Sequence, residues 1–135
     1  MLMQDTVLYP ETKPRKRPQH HEDNLHTQIA NALRVILPSC VVWTSTENRF
    51  NGPREGARRK ARGCRAGWPD MMFCHAGRTI YAELKHGKNG ASKEQRDLHA
   101  ELRGQGFPVA VCRSLDEVLA FLKENEFPMR GEIAA

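Results

Sequence analysis

The chain has 135 residues, of which 39% are hydrophobic and 27% charged, so we expect one folded domain with a single core and exclude a disordered or two-domain protein. No apolar run approaches the roughly 20 residues that span a membrane, and the start lacks the segments of a secretory signal, so we expect no membrane partner. The four cysteines form no C-x-x-C pair, which disfavours a zinc knuckle or a redox motif and predicts an intracellular, reducing setting.

The positive charge is concentrated in one segment. The formal net charge is +5 and the pI about 9.3, and residues 44–67 alone contain seven basic and two acidic residues. The rest of the chain is therefore formally neutral. A basic block of this kind is typical of nucleic-acid contacts, although a merely solvated loop has the same composition. The candidate DNA contacts are Arg54, Arg58, Arg59, Lys60, Arg62 and Arg65, with Lys88 farther along the chain.

The first part of the chain predicts an arm, a helix and a strand. Residues 1–20 contain three prolines and a basic run, which is typical of a flexible arm that either touches nucleic acid or is solvated. From Glu22 to Leu37 apolar residues recur at spacings of three and four, which predicts a helix that Pro38 closes. The run 40–43 is β-branched and aromatic, as in a strand. Residues 44–67 then predict a long basic loop that is functional or mobile.

A β-hairpin is predicted next. The apolar runs 70–74 and 78–85 are separated by His75-Ala76-Gly77, which is typical of a tight glycine turn. Because side chains alternate along a strand, Glu83 and Lys85 should share one face of the second run with Tyr81. The opposite face should carry Ile80, Ala82 and Leu84.

The last part of the chain predicts a helix, a strand and a helix. The first helix begins at Ser92, turns Leu98 and Leu102 inward and ends at Gly104 or Gly106. Residues 107–113 form a strand, and Ser114 caps a final helix with an apolar stripe. The predicted order is α-β-β-β-α-β-α, within a domain at 21–125 that a tail at 126–135 follows.

Three residues of the hairpin carry the chemistry. In an antiparallel pair the start of one strand meets the end of the next, so Asp70 should meet Glu83 and Lys85 at one edge of the sheet. Two repelling carboxylates are stable mainly around a cation, and oxygen ligands suit Mg²⁺ or Mn²⁺. Such an ion polarises a phosphoryl oxygen and activates water, while a lysine offsets charge that develops on the phosphate. Taken singly, the Glu-x-Lys pair also fits a solvated ion pair, and the Gly-x-Pro-Asp run a common turn.

This pattern resembles a known nuclease family. Gly67-Trp68-Pro69-Asp70, followed after twelve residues by Glu83-Leu84-Lys85, looks like the motif of the PD-(D/E)XK nuclease superfamily. The run 92–95 and the closing segment 106–111 are similar to its virus-type replication-repair nuclease (VRR-NUC) branch. The likeness covers residues 22–122. It implies an α/β, restriction-endonuclease-like core with a mixed sheet flanked by helices. It also implies Asp70, Glu83 and the backbone carbonyl of Leu84 as metal ligands and Lys85 as the catalytic lysine.

Two further residues have two interpretations each. The family carries an acidic residue early in the first helix, which Glu22 matches, although an acid there is also favoured by the helix dipole alone. The family's nearby glutamine is replaced by His26, whose role stays open. Gln95 matches a family position near the active site, but Ser92 and Gln95 also fit a capping box. The remaining histidines are assigned no catalytic role.

The function that follows is a metal-dependent DNA endonuclease. The resemblance implies Mg²⁺ or Mn²⁺, no small-molecule cofactor, and branched DNA such as four-way junctions cut by a homodimer, in DNA replication or repair in the cytoplasm of a bacterium or a phage-infected host. Flap or single-strand cleavage by the same fold is the first alternative. A non-catalytic DNA-binding subunit and an unrelated α/β domain are the others, and both predict that Asp70→Ala has little effect.

Overall fold

The structure is a computed structural model that describes residues 21–46 and 52–131, with only the backbone for 21–23. The predicted arm at residues 1–20 lies outside the described residues. Helices and strands follow one another in the order α1 (His21–Ile36), β1 (Val42–Ser45), α2 (Pro53–Ala61), β2 (Met71–His75), β3 (Arg78–Leu84), α3 (Lys93–Gly104), β4 (Val109–Cys112) and α4 (Leu115–Glu124). The predicted order is confirmed except that α2 is added.

The four strands form one mixed sheet in the order β1-β2-β3-β4. β1 and β2 pair antiparallel, and so do β2 and β3, whose hairpin closes through Ala76 and Gly77, both with positive φ. This two-residue turn matches the twist of the strands it joins. β4 pairs parallel with β3, and α3 is the crossover that a parallel pair requires.

Helices cover both faces of the sheet. On one face, α1 and α4 bury the main core, with Ile29, Leu33 and Leu122 packed against Phe73 and Ile80. On the other face, a smaller cluster under α3 joins Leu98 and Leu102 to strand residues. β3 is therefore covered on both sides, so that every residue from Ile80 to Leu84 is buried.

The prediction of a continuous loop over 44–67 is wrong, because α2 occupies its middle. Pro53 stands at the start of the helix, where its missing N–H removes no hydrogen bond, and Glu55 pairs with Arg59 one turn later. No residue of α2 is buried. A helix without an apolar stripe gives no periodic signal, which is why the pattern of apolar residues did not reveal it.

The first strand lies two residues later than predicted. Val41 donates its backbone N–H to the Pro38 carbonyl in a turn, at 3.1 Å, so that β1 begins only at Val42. Cys40 is left exposed before the strand instead of in it. The later start allows Ser45 to pair with Met71, next to Asp70.

The packed domain extends past Asn125, where the sequence suggested a tail. Phe127 and Met129 belong to the main core, and Arg130 donates its backbone N–H to the Ile36 carbonyl at 2.8 Å. Glu126, at φ 64, turns the chain after α4 so that these residues reach α1. Within residues 21–46 and 52–131, none of the helices combines the length and apolar character needed to cross a membrane.

Candidate active site

The hairpin brings Asp70 and Glu83 side by side. Met71 pairs with Ala82, so Asp70, the preceding residue, stands beside Glu83 on the neighbouring strand. The Asp70 carboxylate accepts a hydrogen bond from the Leu84 backbone N–H at 2.8 Å. Its carbonyl accepts another from the Thr46 N–H at 2.9 Å, just after β1. Asp70 is thus fixed by the strands on both sides of β2.

The segment before Asp70 is held against the first turn of α3. Gly67 has φ +86, and a Cβ there would come within 2.9 Å of the Glu94 carbonyl carbon. Only glycine combines this backbone conformation with so close an approach. Trp68 then packs edge-on against Tyr81, with ring centroids 5.9 Å apart, and the Thr46 hydroxyl donates to the Pro69 carbonyl. The segment therefore connects the Asp70 carboxylate to the start of α3.

Glu83 is buried in this site with an incomplete set of partners. Its side chain lies in a residue that is only 2% exposed. Its Oε1 accepts a hydrogen bond from Gln95 Nε2 at 2.9 Å and lies 3.7 Å from Lys85 Nζ. Its Oε2 has no hydrogen-bond partner within the described part of the chain. Burial above all, and then the charge of Asp70, raise the pKa of Glu83 to about 8, while Lys85 acts in the opposite direction.

Gln95 completes the predicted capping box and also contacts Glu83, while its catalytic role stays a prediction. Its Oε1 accepts from the Ser92 backbone N–H at 2.9 Å, and the Ser92 hydroxyl accepts from the Gln95 N–H at 3.2 Å, which completes the capping box. The other end of the same amide reaches Glu83. One side chain therefore starts α3 and holds the buried carboxylate.

The donor set suits a small divalent cation. A buried carboxylate that lacks a partner for one oxygen, with a second carboxylate beside it, offers the hard oxygen ligands that Mg²⁺ and Mn²⁺ prefer. Among the residues that the structure describes, no three His, Cys, Asp or Glu side chains gather into a metal-binding group. The described residues therefore offer a cation two side-chain carboxylates, those of Asp70 and Glu83.

The start of α1 is tied to the strand next to Asp70. His26 Nε2 lies 2.7 Å from the Ser45 hydroxyl, and Ser45 pairs with Met71. Position 26, where the resembled family has glutamine, thus fixes the helix to the sheet. Glu22 belongs to the first turn of α1, but its side chain is outside the described residues, so its metal-binding role stays a prediction.

Sequence reasoning missed His99. This residue follows Gln95 by one turn of α3, is 2% exposed, and has no partner for Nε2 among the described residues. Burial lowers the pKa of His99, and so do the nearby charges of Arg103 and Lys85. The signal was available, because positions 95 and 99 share the helix face that Leu98 and Leu102 place inward.

The predicted DNA contacts fall into two groups. Arg54, Arg58 and Lys60 are exposed on α2, and no ion pair with another described residue is seen for them. Others are already paired: Glu55 lies 3.4 Å from Arg59 and 3.7 Å from Arg62, and Arg65 pairs with Glu101 of α3. Lys88 is exposed in the loop after β3, which Arg113 holds by donating to the carbonyls of Gly87 and Asn89.

Comparison with known proteins supports the fold. No protein-family model matches the sequence, and no curated protein does. A solved structure described as a "VRR_NUC domain protein" is similar to this chain with a TM-score of 0.55 and 23% sequence identity, over 76% of this chain and 85% of the other. This likeness establishes the fold, so the predicted α/β, restriction-endonuclease-like core is confirmed.

Proposed function

We propose that this protein is a divalent-metal-dependent nuclease that hydrolyses phosphodiester bonds in DNA. The observation that carries the proposal is the Glu83 carboxylate, which is buried beside Asp70 with one oxygen unpartnered among the described residues. Burying such a group costs stability unless a charge or a hydrogen bond compensates. A site that needs a cation for its chemistry accounts for the arrangement, and the fold shared with the VRR_NUC domain protein agrees with it.

In this proposal Asp70 and Glu83 hold the cation, with the Leu84 carbonyl and Glu22 as further ligands. Held there, Mg²⁺ or Mn²⁺ would supply Lewis-acid chemistry towards the phosphate and towards the attacking water. Lys85, on the same face as Glu83, offsets the negative charge that develops on the phosphate. Gln95 keeps the Glu83 carboxylate in one orientation through its 2.9 Å hydrogen bond.

The exposed basic residues would bind the DNA phosphates next to this site. Arg54, Arg58 and Lys60 are exposed on α2, and Lys88 lies in the loop that follows β3. Both segments are close in sequence to the site: the segment after α2 leads to Asp70, and the loop with Lys88 begins after Lys85. Phosphate contacts from such side chains position a duplex without reading its sequence.

We further propose branched DNA, such as four-way junctions, as the preferred substrate and a homodimer as the active form. The support is the sequence resemblance to the VRR-NUC branch together with the shared fold. A symmetric dimer places two active sites on two strands, which suits paired incisions. Flap and single-stranded DNA are the competing substrates.

The test is cleavage of labelled four-way junction, flap, duplex and single-stranded DNA in Mg²⁺, Mn²⁺ or EDTA. We expect cutting with either metal, none in EDTA, and none from Asp70→Asn or Lys85→Met. Asp116→Asn, an exposed carboxylate on α4, is the matched control and should cut like the wild type. Full activity of Asp70→Asn, or cutting in EDTA, would contradict the proposed site. Tight binding without cutting by the wild type would indicate a DNA-binding subunit instead.

A further inference from the structure

Three polar groups under α3 have incomplete hydrogen bonding. Glu83 Oε2 and His99 Nε2 are buried and have no partner in the described part of the chain. The Lys85 side chain is 11% exposed, and the ion pair seen for it, to Glu83 Oε1, is long at 3.7 Å. An ammonium has three N–H donors and no acceptor, so it needs acceptors that Glu83 alone does not supply.

His99 is positioned to supply one hydrogen-bond acceptor for the Lys85 ammonium. It stands four residues after Gln95, and residues at that spacing share a helix face. Gln95 contacts Glu83, and Lys85 directly follows β3 with its backbone N–H bonded to the Cys112 carbonyl at 3.0 Å, so the ladder places Lys85 on the side of Glu83 and of the α3 face that His99 shares. A neutral imidazole has one donor nitrogen and one acceptor nitrogen. Burial, and then the charges of Arg103 and Lys85, lower the pKa of His99 and favour the neutral form, while Asp70 acts in the opposite direction.

Two cations have charges that act on His99, Arg103 and Lys85, and only Lys85 belongs to the proposed catalytic set. Arg103 directs its Nε and Nη2 to the Val109 carbonyl, at 3.2 and 2.9 Å, at the start of β4. Lys85 is held by its 3.7 Å ion pair to Glu83. That pair weakens when Glu83 binds a cation, because the cation repels the ammonium and shares the same carboxylate.

We propose that His99 is a positioning residue: its Nε2, which has no protein partner among the described residues, accepts a hydrogen bond that reaches it from the Lys85 ammonium through one buried water. The contact keeps Lys85 oriented towards the reacting phosphate when Glu83 is occupied by a metal ion. This role rests on the proposed nuclease function, in which Lys85 stabilises charge on the phosphate. His99 itself touches neither the metal nor the DNA.

The first experiment compares His99→Leu, which removes the acceptor, with His99→Gln, which retains one. In steady-state cleavage over a range of DNA concentrations we expect His99→Leu to lower kcat about 10- to 100-fold with KM changed less than about twofold, the effect of a misplaced catalytic group. His99→Gln should recover to within about fivefold of the wild type. Leu98→Val, a neighbouring packing change on α3, should lower the melting temperature and leave kcat unchanged.

Two results would overturn the role. If folded His99→Leu cuts at the wild-type rate, the imidazole does not position Lys85. If His99→Gln is as slow as His99→Leu, an acceptor at position 99 does not restore the rate, and the histidine acts through its packing alone.

A second readout needs no DNA. In ¹⁵N-histidine-labelled protein, with the His99 resonances assigned from the His99→Gln spectrum, Nε2 should show the chemical shift of an unprotonated acceptor nitrogen. The resonance should move when Lys85 is changed to Met, and should move again when Mg²⁺ is added to the wild type. A protonated Nε2, or a resonance that ignores Lys85→Met, contradicts the contact. If the wild type cuts no DNA, the proposed function fails, and these spectra still decide whether His99 and Lys85 interact.

Discussion

The two faces of β3 are equally buried and chemically opposite. On the face that meets α1 and α4, Ile80, Ala82 and Leu84 lie in an apolar core. On the face under α3, Tyr81 is followed by Glu83 and Lys85, and Glu83 is 2% exposed against 0% for Ala82. Adjacent residues of one strand therefore have the same burial and opposite effects on stability.

The comparison distinguishes the residues that stabilise the fold from the residues that are proposed to act in the site. Apolar burial contributes roughly 25 cal/mol per Å² of surface removed from water. Burial of a carboxylate opposes folding, as the raised pKa of Glu83 indicates. The α1/α4 face is thus stabilising throughout, whereas the α3 face combines an apolar cluster with a buried carboxylate that opposes folding. Substitutions on the two faces should consequently separate activity from stability.

The largest effect is expected from Glu83→Gln. The amide keeps the shape and the contact with Gln95 but removes the charge that holds a cation, so cleavage should fall by at least about 10³-fold. The metal-free protein should at the same time become more stable at about pH 8, because a buried charge is gone. DNA cleavage and thermal melting in EDTA check the two halves. A stable variant that cuts normally would remove Glu83 from the site.

Ile80→Ala, three residues before Glu83 on the other face of β3, should instead lower stability and leave cleavage unchanged. Truncation of a buried isoleucine leaves a cavity and should cost about 2–5 kcal/mol of unfolding free energy. The kcat per folded molecule should stay at the wild-type value, because Ile80 touches the main core and not the α3 side. Urea unfolding, with cleavage normalised to the folded fraction, makes the comparison. A large loss of kcat would mean that the two faces are coupled.

The stability of the metal-free protein should depend on pH through Glu83. Its pKa in the folded state, about 8, lies above the ordinary value of 4.5, so between these values the folded state keeps a proton that the unfolded state has released. The contribution of Glu83 to the free energy of unfolding is therefore fully present below pH 4.5. It is lost as the pH rises through 8, by at most about 1.4 kcal/mol per pH unit.

The control for this dependence is Glu83→Gln, which should lack it. The gap in unfolding free energy between the variant and the wild type should widen from about pH 5 to about pH 8 in EDTA. Added Mg²⁺ should stabilise the wild type more at the upper end, because the cation then replaces the proton. A gap that stays constant with pH would contradict the raised pKa.

The two contacts of Gln95 can be separated by neighbouring substitutions. Ser92→Ala removes the helix cap and should cost about 1 kcal/mol with cleavage unchanged. Gln95→Ala removes the cap and the support of Glu83, so it should cost a similar amount of stability and also slow cleavage about tenfold. Thermal melting and single-turnover rates together distinguish them. Equal rates for the two variants would mean that the 2.9 Å hydrogen bond between Gln95 and Glu83 has no part in catalysis.

The smallest effect on stability belongs to α2, which lies outside both faces. Neutralising Arg58 and Lys60 should leave the melting temperature unchanged, because α2 buries no residue. DNA binding should weaken, and the slope of log K against log salt should flatten by close to one unit for each phosphate that the protein no longer neutralises. Arg34→Gln on α1, also exposed, is the matched control. An unchanged slope would show that α2 does not lie at the DNA.

Most of the sheet could be predicted because its signals are local. The alternation along 78–85 placed Glu83 and Lys85 together, and the glycine turn fixed the antiparallel partner that brings Asp70 beside them. The apolar spacing likewise predicted α1 and α4. These features depend on period and turn chemistry, which a single sequence contains.

What escaped prediction depends on tertiary contacts or lacks an apolar signal. The helix spacing places His99 on the inward face with Gln95, but only the packing of α3 shows which polar groups His99 then lies near. α2 is polar all round, so its charges suggested a loop. The burial of Phe127 and Met129 depends on a single turn at Glu126, which brings a short segment back to α1.

The close approach of Gly67 to the first turn of α3 also shows that the site is assembled from two separate parts of the fold. The hairpin with Asp70 and Glu83 is a local structure, whereas Gln95 and His99 arrive only when the crossover helix docks. In the proposed nuclease, the site is therefore complete only once α3 has docked on the sheet.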